Sequence, residues 1–252
     1  MSVVEGRWAA MRITLRIASK FFLVLLIFAS LALASDPPWM GKPYQQWDDK
    51  DLQRVFTDSP WARKGTITRT WAAPTQKELA NNPQLSPAGR GTASSGSGTD
   101  SAGSDLTFDI YWASSRVMRA ASARRSILHG GKTDVDVDKY ASQPQEEYQV
   151  VIQSEDMTPF ARHDEKFFQA NSFLVPKKSK QKIAPSHVVY ERDEKSQLIT
   201  AAVFFFPRKA ASGEPTVGSD EKSVEFSCKI EGATLRINFE PQKMVDHEGP
   251  AL

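Results

Sequence analysis

Four tryptophans lie close together near the beginning of the chain, just after an apolar leader. Exposed indole rings offer flat faces for sugar rings, and the indole N–H can donate a hydrogen bond to a ligand. The segment therefore contains the candidate ligand-binding residues, with a sugar or peptidoglycan as the expected ligand. The alternative, which we favour, is that the same rings pack against their own helix or the following domain, as rings in such a short segment more often do. The residues are Trp39, Trp47, Trp61 and Trp71.

Acidic and histidine residues do not form a recognisable metal motif. Asp134, Asp136 and Asp138 alternate as at the start of an EF-hand loop, but Lys139 and Gln145 stand where that loop needs glycine and glutamate. The acidic loop is therefore expected to be an ordinary surface loop that offsets neighbouring arginines. The histidines also lack a metal-ligating spacing. They are His129, His163, His187 and His247.

Common catalytic motifs are absent from the sequence. It contains no Gly-x-Ser-x-Gly elbow, and its Gly-rich stretch at 91–98 carries no Gly-Lys-Ser/Thr and does not follow a strand, so neither a phosphate loop nor a dinucleotide fingerprint is indicated there. Cys228 is the only cysteine, and it lies within an alternating apolar pattern typical of a buried strand residue rather than a reactive thiol. We therefore predict no catalytic residue, cofactor or metal, and a non-catalytic protein is favoured over an enzyme.

The charge balance argues against a nucleic-acid partner. The chain has 32 Lys and Arg against 30 Asp and Glu, without the basic excess of a nucleic-acid-binding domain. One local basic loop could contact anionic envelope polymers, or it could simply be a solvated loop between strands. Its lysines are Lys177, Lys178, Lys180 and Lys182.

Residues 1–34 are typical of a secretory signal peptide. Basic residues precede an apolar run from Phe21 to Leu31, and Ala32-Leu33-Ala34 forms a small-x-small cleavage site. Translation could start at Met1 or at Met11. The apolar run of roughly 14 residues is shorter than the ~20 that span a bilayer, which favours cleavage over an uncleaved anchor. We therefore expect a periplasmic or extracellular protein that begins at Ser35 and has no stable membrane span.

The mature chain is predicted to have three parts. Residues 35–80 form a Trp-rich segment with a helix capped by Asp48 and a strand from Thr66 to Trp71. Residues 81–105 are rich in Gly, Ser and Thr and are expected to be a disordered linker. Residues 106–252 are long enough for one domain. Alternatively, the Thr66–Trp71 strand joins the sheet of that domain, which would make the whole mature chain one domain.

The pattern of residues 106–252 indicates an α+β domain. An alternating strand from Leu106 to Trp112 precedes a helix from Arg116 to Leu128, capped by Ser114 or Ser115. A further alternating strand is expected around Tyr148, Val150 and Ile152, and a second helix around Phe160, Phe167, Phe168 and Ala170. The apolar run from Leu198 to Phe206 is typical of a central strand covered on both faces.

The C-terminal part contains the clearest pattern. Apolar residues alternate before and after Glu231-Gly232, which predicts a hairpin with a two-residue turn. Slipping the register by one residue would move the apolar residues of one strand into water, so the register is specified. The expected pairs are Ile230 with Ala233, Cys228 with Leu235, Phe226 with Ile237 and Val224 with Phe239. The predicted fold class is therefore α+β, an antiparallel sheet with one or two packed helices.

Several short motifs resemble those of uncharacterised secreted proteins of acidobacteria-like soil bacteria. The resemblance implies an extracytoplasmic location and assigns no activity or site residue. It covers most of the mature chain. The motifs are Trp47 with Ser59-Pro60-Trp61-Ala62, Tyr111-Trp112-Ala113-Ser114-Ser115, Phe206-Pro207-Arg208, Val224-Glu225-Phe226, and the ending from Lys243-Met244-Val245 through Gly249 to Leu252.

Besides an envelope-assembly partner that uses an exposed sheet edge, two functional hypotheses follow from the sequence. The first is a secreted or periplasmic, non-catalytic interaction or structural module of the bacterial cell envelope. The second is a cell-wall carbohydrate-binding or hydrolytic protein that uses exposed Trp rings with carboxylates such as Asp134, Asp136 or Glu165. Under either hypothesis, the expected partner is an envelope protein or polysaccharide.

Overall fold

The computed structural model describes residues 36–68, 76–82, 105–131 and 135–252. Within these ranges the helices are α1 (Pro38–Gly41), α2 (Asp49–Asp58), α3 (Gln76–Asn81), α4 (Arg116–His129), α5 (Val137–Ser142), α6 (Thr158–Ala161) and α7 (Glu165–Ala170). The strands are β1 (Ala62–Thr68), β2 (Asp105–Trp112), β3 (Glu147–Gln153), β4 (Ser172–Pro176), β5 (His187–Arg192), β6 (Ile199–Pro207), β7 (Val224–Ile230), β8 (Ala233–Phe239), β9 (Val245–Asp246) and β10 (Gly249–Pro250).

Five strands form the larger sheet, in the order β1-β2-β3-β6-β5, with every neighbouring pair antiparallel. β6 lies between β3 and β5, as its continuous apolar sequence predicts, and most of its residues are buried. On β3, Tyr148, Val150 and Ile152 are buried on one face, which confirms the predicted alternation. The α+β class is therefore confirmed.

The C-terminal hairpin forms the smaller sheet, in the order β4-β7-β8. All four predicted pairs are observed, from Ile230 opposite Ala233 to Val224 opposite Phe239. The backbone of Glu231 is left-handed, with a φ of 55°. A two-residue hairpin turn requires such a conformation, which a residue other than glycine adopts at some conformational cost.

The two sheets pack face to face, and aromatic rings fill the space between them. Phe204 of the larger sheet lies 5.4 Å from Phe226 of the smaller sheet, and Trp112 lies 5.3 Å from Phe239, measured between ring centroids. β1 approaches β8 closely, because a Cβ atom on Gly65 would lie only 2.5 Å from the Leu235 side chain. Glycine at this position therefore allows one edge of the sandwich to close.

Local capping signals in the sequence set the beginnings of the two longest helices. Asp48 and Asp51 form a reciprocal capping box at the start of α2. The Ser115 side chain caps α4 by accepting a hydrogen bond from the Met118 backbone at 3.1 Å. The first half of α4 buries several small and apolar residues, so it packs against the core, while the C-terminal half reaches solvent.

The Trp-rich N-terminal segment belongs to the same sheet as residues 105–252. β1 pairs with β2 over seven residues, from Ala62 opposite Tyr111 to Thr68 opposite Asp105. The described residues from Pro38 to Leu252 form one compact unit. This corresponds to the single-domain arrangement rather than to two tethered parts, because backbone pairing with β2 integrates β1 into the core. β1 begins at Ala62, earlier than the predicted Thr66.

Some predicted segments differ from the structure or lie outside the described residues. The sequence around Phe160 predicts one helix, but the structure has α6 and α7, because Asp164 starts a new helix by accepting a hydrogen bond from the Phe167 backbone. The predicted linker at 81–105 overlaps α3 and β2 at its two ends, and residues 83–104 lie outside the described ranges. Residues 1–35 also lie outside the described ranges. None of the described helices combines the length and apolarity needed to span a bilayer.

Candidate functional site

The structure places three of the four candidate tryptophans in the core. Trp39 is 6% exposed, and Trp47 and Trp61 are fully buried. Trp71 lies outside the described residues. A buried ring presents no face to a ligand in solvent, so Trp39, Trp47 and Trp61 do not form the expected stacking platform. For these three residues the favoured alternative of packing is the one observed, because the N-terminal segment folds against residues 105–252 instead of standing alone.

The polar ends of two buried indoles are already used within the protein. The Trp61 Nε1–H donates a hydrogen bond to the Ala251 carbonyl at 2.6 Å, and that of Trp47 donates to the Lys42 carbonyl at 3.2 Å. Trp39 packs edge-on against Trp61 at 5.7 Å. These rings therefore join the N-terminal segment to the C-terminal end of the chain.

The outer face of the larger sheet contains a groove of about 430 Å³, which we call the amide groove. Its floor is formed by side chains of β3 that point away from the core, Gln149, Val151 and Gln153. Tyr111 of β2 and Val203 of β6 extend the floor on either side. Small-ligand pockets commonly have volumes of ~300–1,000 Å³, so the size suits a small molecule or a short stretch of polymer.

One wall of the amide groove is held in place by Arg119 of α4. This buried guanidinium donates hydrogen bonds to the Ala141 carbonyl at 3.0 Å and the Gln143 carbonyl at 2.6 Å. It also lies 4.8 Å from the centroid of the Tyr140 ring. Arg119 therefore fixes α5 and its following loop, and with them the exposed ring of Tyr140 beside the groove.

The lining of the groove also includes an aromatic pair, Phe56 and Tyr111. Phe56 of α2 packs edge-on against Tyr111 at 5.8 Å, and the Arg125 guanidinium lies 4.4 Å from the Phe56 ring centroid. Burial and the nearby Asp109 carboxylate raise the pKa of Tyr111 to about 12. The Tyr111 hydroxyl therefore stays protonated at neutral pH and can donate a hydrogen bond.

Several polar groups of the groove are not used by the fold. Among the described residues, the side chains of Arg125, Gln153 and Glu191 have no hydrogen-bond or salt-bridge partner. An amide both donates and accepts, a guanidinium donates and a carboxylate accepts. The groove thus offers a mixed set of hydrogen-bonding groups between aromatic walls, a combination suited to a polar, hydroxyl-rich ligand.

The amide groove was not predicted from the sequence. A partial signal was present, because Gln149 and Gln153 alternate with the buried residues of β3 and so had to lie on its outer face. The other walls come from α2, α4 and α5. Only the packing of these helices beside the sheet converts a polar strand face into a groove.

A second polar cluster joins the two ends of the described chain. The buried Asp246 carboxylate accepts hydrogen bonds from the Tyr44 hydroxyl at 2.7 Å, from Arg116 Nη2 at 2.7 Å and from Arg116 Nε at 3.1 Å. Burial alone would raise the pKa of Asp246, but the hydrogen bonds from Arg116 and Tyr44 hold it below its usual value. All the strong acceptor sites are occupied, so we assign this cluster a structural role.

The acidic loop also acts within the fold. Asp136 caps α5 by accepting a hydrogen bond from the Lys139 backbone at 3.0 Å, and Asp138 accepts one from the Gln45 side chain. Asp134 lies outside the described residues. Within the described ranges, no three His, Cys, Asp or Glu side chains come together as a metal-binding group.

The thiol of Cys228 is fully buried within β7. Burial raises its pKa to about 12, so the reactive thiolate is scarce at neutral pH. We expect the native protein to resist modification by a thiol-reactive disulfide reagent, and the denatured protein to react with one equivalent. Rapid modification of the folded protein, measured under conditions in which circular dichroism is unchanged, would contradict this expectation.

Comparisons with protein-family models, with curated proteins and with solved structures return no match to this chain.

Proposed function

We propose that the protein is an exported, non-catalytic protein of the bacterial cell envelope that binds a neutral glycan in the amide groove. The observation that carries the proposal is that the side chains of Arg125, Gln153 and Glu191 make no hydrogen bond or salt bridge with a described residue, in a groove also lined by the aromatic side chains of Tyr140 and Tyr111. Sugar hydroxyls donate and accept hydrogen bonds together, which matches an amide, and their C–H faces suit aromatic rings.

Two considerations favour a glycan over a charged ligand in this groove. Arg119 is buried and its hydrogen bonds are made to backbone carbonyls, so the free charges are the cation of Arg125 and the carboxylate of Glu191. These two charges are of opposite sign, and the remaining polar lining is mainly amide. In this groove a neutral polar ligand can replace most of its hydrogen bonds to water by hydrogen bonds to the protein. The free-energy cost of its desolvation is therefore small.

The location follows from the leader sequence. A basic region, an apolar run and the Ala32-Leu33-Ala34 site support export and cleavage before Ser35. Mass spectrometry of the protein recovered from the periplasm or the medium should give a chain that begins at Ser35. Recovery of an uncleaved chain from the cytoplasm would contradict this part of the proposal.

The binding proposal predicts that groove variants lose affinity for a neutral glycan. Calorimetric titration with an uncharged glycan strand, an oligosaccharide of N-acetylglucosamine, should show binding, and Tyr140→Ala and Gln153→Ala should each weaken it by roughly tenfold, the value of one good ring contact or hydrogen bond. Each change lies at the surface, so the unfolding transition should remain close to that of the parent protein.

Matched controls distinguish the groove from the rest of the surface. Gln181 is an exposed glutamine outside the groove, and Met40 is an exposed apolar residue beside a different cavity. Gln181→Ala and Met40→Ala should leave the affinity unchanged. Equal losses in controls and groove variants, or preferential binding of the free stem peptide over the glycan strand, would refute the proposed ligand.

A further inference from the structure

The outer face of the smaller sheet carries a concentration of positive charge, which we call the basic face. A shallow depression of about 250 Å³ lies there, across all three strands. Lys182, Lys229 and Arg236 line it, together with the single carboxylate of Glu225. The three basic residues are exposed, so their charges are directed to solvent.

The geometry keeps these cations from being neutralised within the protein. Arg236 Nε lies 3.7 Å from the Glu225 carboxylate, which is a solvent-exposed and therefore weak ion pair. Lys229 forms no salt bridge with any described residue, and the Lys182 ammonium lies 5.1 Å above the ring of Phe173. The face therefore combines a net positive charge with a half-buried aromatic ring.

The neighbouring loop between β4 and β5 adds further basic residues. Lys177 and Lys180 are exposed next to the end of β4, while the ammonium of Lys178 pairs with Asp220 at 2.9 Å. The basic loop noted in the sequence thus continues onto the sheet surface through Lys182. This continuity of cations along a surface suits an extended polymer better than a single small anion.

We propose that the basic face binds an acidic polysaccharide through its carboxylate groups. Charge complementarity identifies the anion, and the half-buried Phe173 side chain that lines the depression provides an apolar contact for the C–H groups of a sugar, which distinguishes a polysaccharide from an anion without rings. The amide groove and the basic face lie on the outer faces of different sheets. The protein then has two separate glycan sites, one neutral and one anionic.

The test measures binding of polygalacturonate to the mature protein at low and at high salt. The triple variant Lys182→Gln/Lys229→Gln/Arg236→Gln should bind about tenfold more weakly at low salt, since each exposed ionic contact contributes a fraction of a kcal/mol. High salt should weaken the binding of polygalacturonate to the parent protein, because mobile ions screen exposed charges. It should also reduce the difference in affinity between the parent protein and the triple variant. Binding of the neutral glycan strand should be unchanged in this variant.

A matched triple variant carries the same change of charge elsewhere. Lys50, Lys139 and Lys195 are exposed and do not line the basic face, and their replacement by glutamine should have a much smaller effect on affinity. An equal loss in both triple variants would mean that net charge alone drives binding, and it would overturn the proposal. Tighter binding of duplex DNA than of polygalacturonate through the same three residues would also overturn it.

Discussion

Replacing Asp246 by alanine is expected to lower the free energy of unfolding by about 3 kcal/mol. The carboxylate is buried and accepts hydrogen bonds from Arg116 and Tyr44, so its removal leaves a cation and a hydroxyl without their partner. Arg116 keeps partial access to solvent and lies 3.4 Å from Glu248, which limits the loss to the lower end of the range for buried ion pairs. Urea denaturation followed by circular dichroism measures the change.

The effect of this substitution should depend on pH in a defined direction. The pKa of Asp246 is lower in the folded protein than its ordinary value. Its contribution to stability is therefore fully present above the ordinary carboxyl pKa of ~4 and is lost as the pH falls through the lower folded value. The stability difference between the parent and Asp246→Ala should shrink below about pH 4.

An exposed ion pair provides the control for the Asp246 prediction. Asp220 pairs with Lys178 at 2.9 Å, with both side chains largely exposed. Asp220→Ala should leave the urea midpoint nearly unchanged, because solvent screens such a pair. If Asp246→Ala were no more destabilising than Asp220→Ala, the polar cluster would not be holding the C-terminal end in place.

Replacing Trp61 by alanine is expected to cost about 4 kcal/mol of stability. The ring is fully buried against Trp39, and its N–H donates to the Ala251 carbonyl, so the change creates a cavity and removes a long-range hydrogen bond. Trp61→Phe retains most of the ring and should cost less. Thermal and urea unfolding of the two variants, with the exposed Met40→Ala as control, measure both effects.

The Trp61 prediction also tests the assignment of this ring to the core. A Trp61→Ala protein as stable as Met40→Ala would mean that the ring contributes little to the core. The original prediction of a tryptophan stacking platform would then have to be reconsidered. Iodide quenching provides a second measurement, since the buried rings of Trp39, Trp47 and Trp61 should be quenched weakly in the native protein.

Features governed by neighbouring residues could be predicted from the sequence. The hairpin register follows from strict alternation on both sides of Glu231-Gly232, and every predicted pair is present. The helix starts at Asp48 and Ser115 follow from side chains that bond to backbone N–H groups three residues later. These interactions span a few residues, so the local sequence contains all the information they need.

Features that join distant parts of the chain could not be predicted in the same way. The Asp246 carboxylate bonds to residues 130 and 202 positions away, and the Trp61 N–H bonds to a carbonyl 190 positions away. Neither sequence spacing nor periodicity contains such pairings. The number and spacing of the tryptophans mark them as notable, but spacing alone does not determine whether an indole ring faces solvent or core.

The sequence by itself determined the α+β class, the central position of β6, the hairpin and the buried environment of Cys228, because alternation and continuous apolar runs encode which face of a strand is buried. The tertiary structure decided which surfaces remained available for ligands. It removed Trp39, Trp47 and Trp61 from solvent by packing the N-terminal segment into the sheet. It created the amide groove by placing α2, α4 and α5 beside the outer face of β3. The physical reason is that a binding surface consists of side chains from distant parts of the sequence, which only the folded chain brings together.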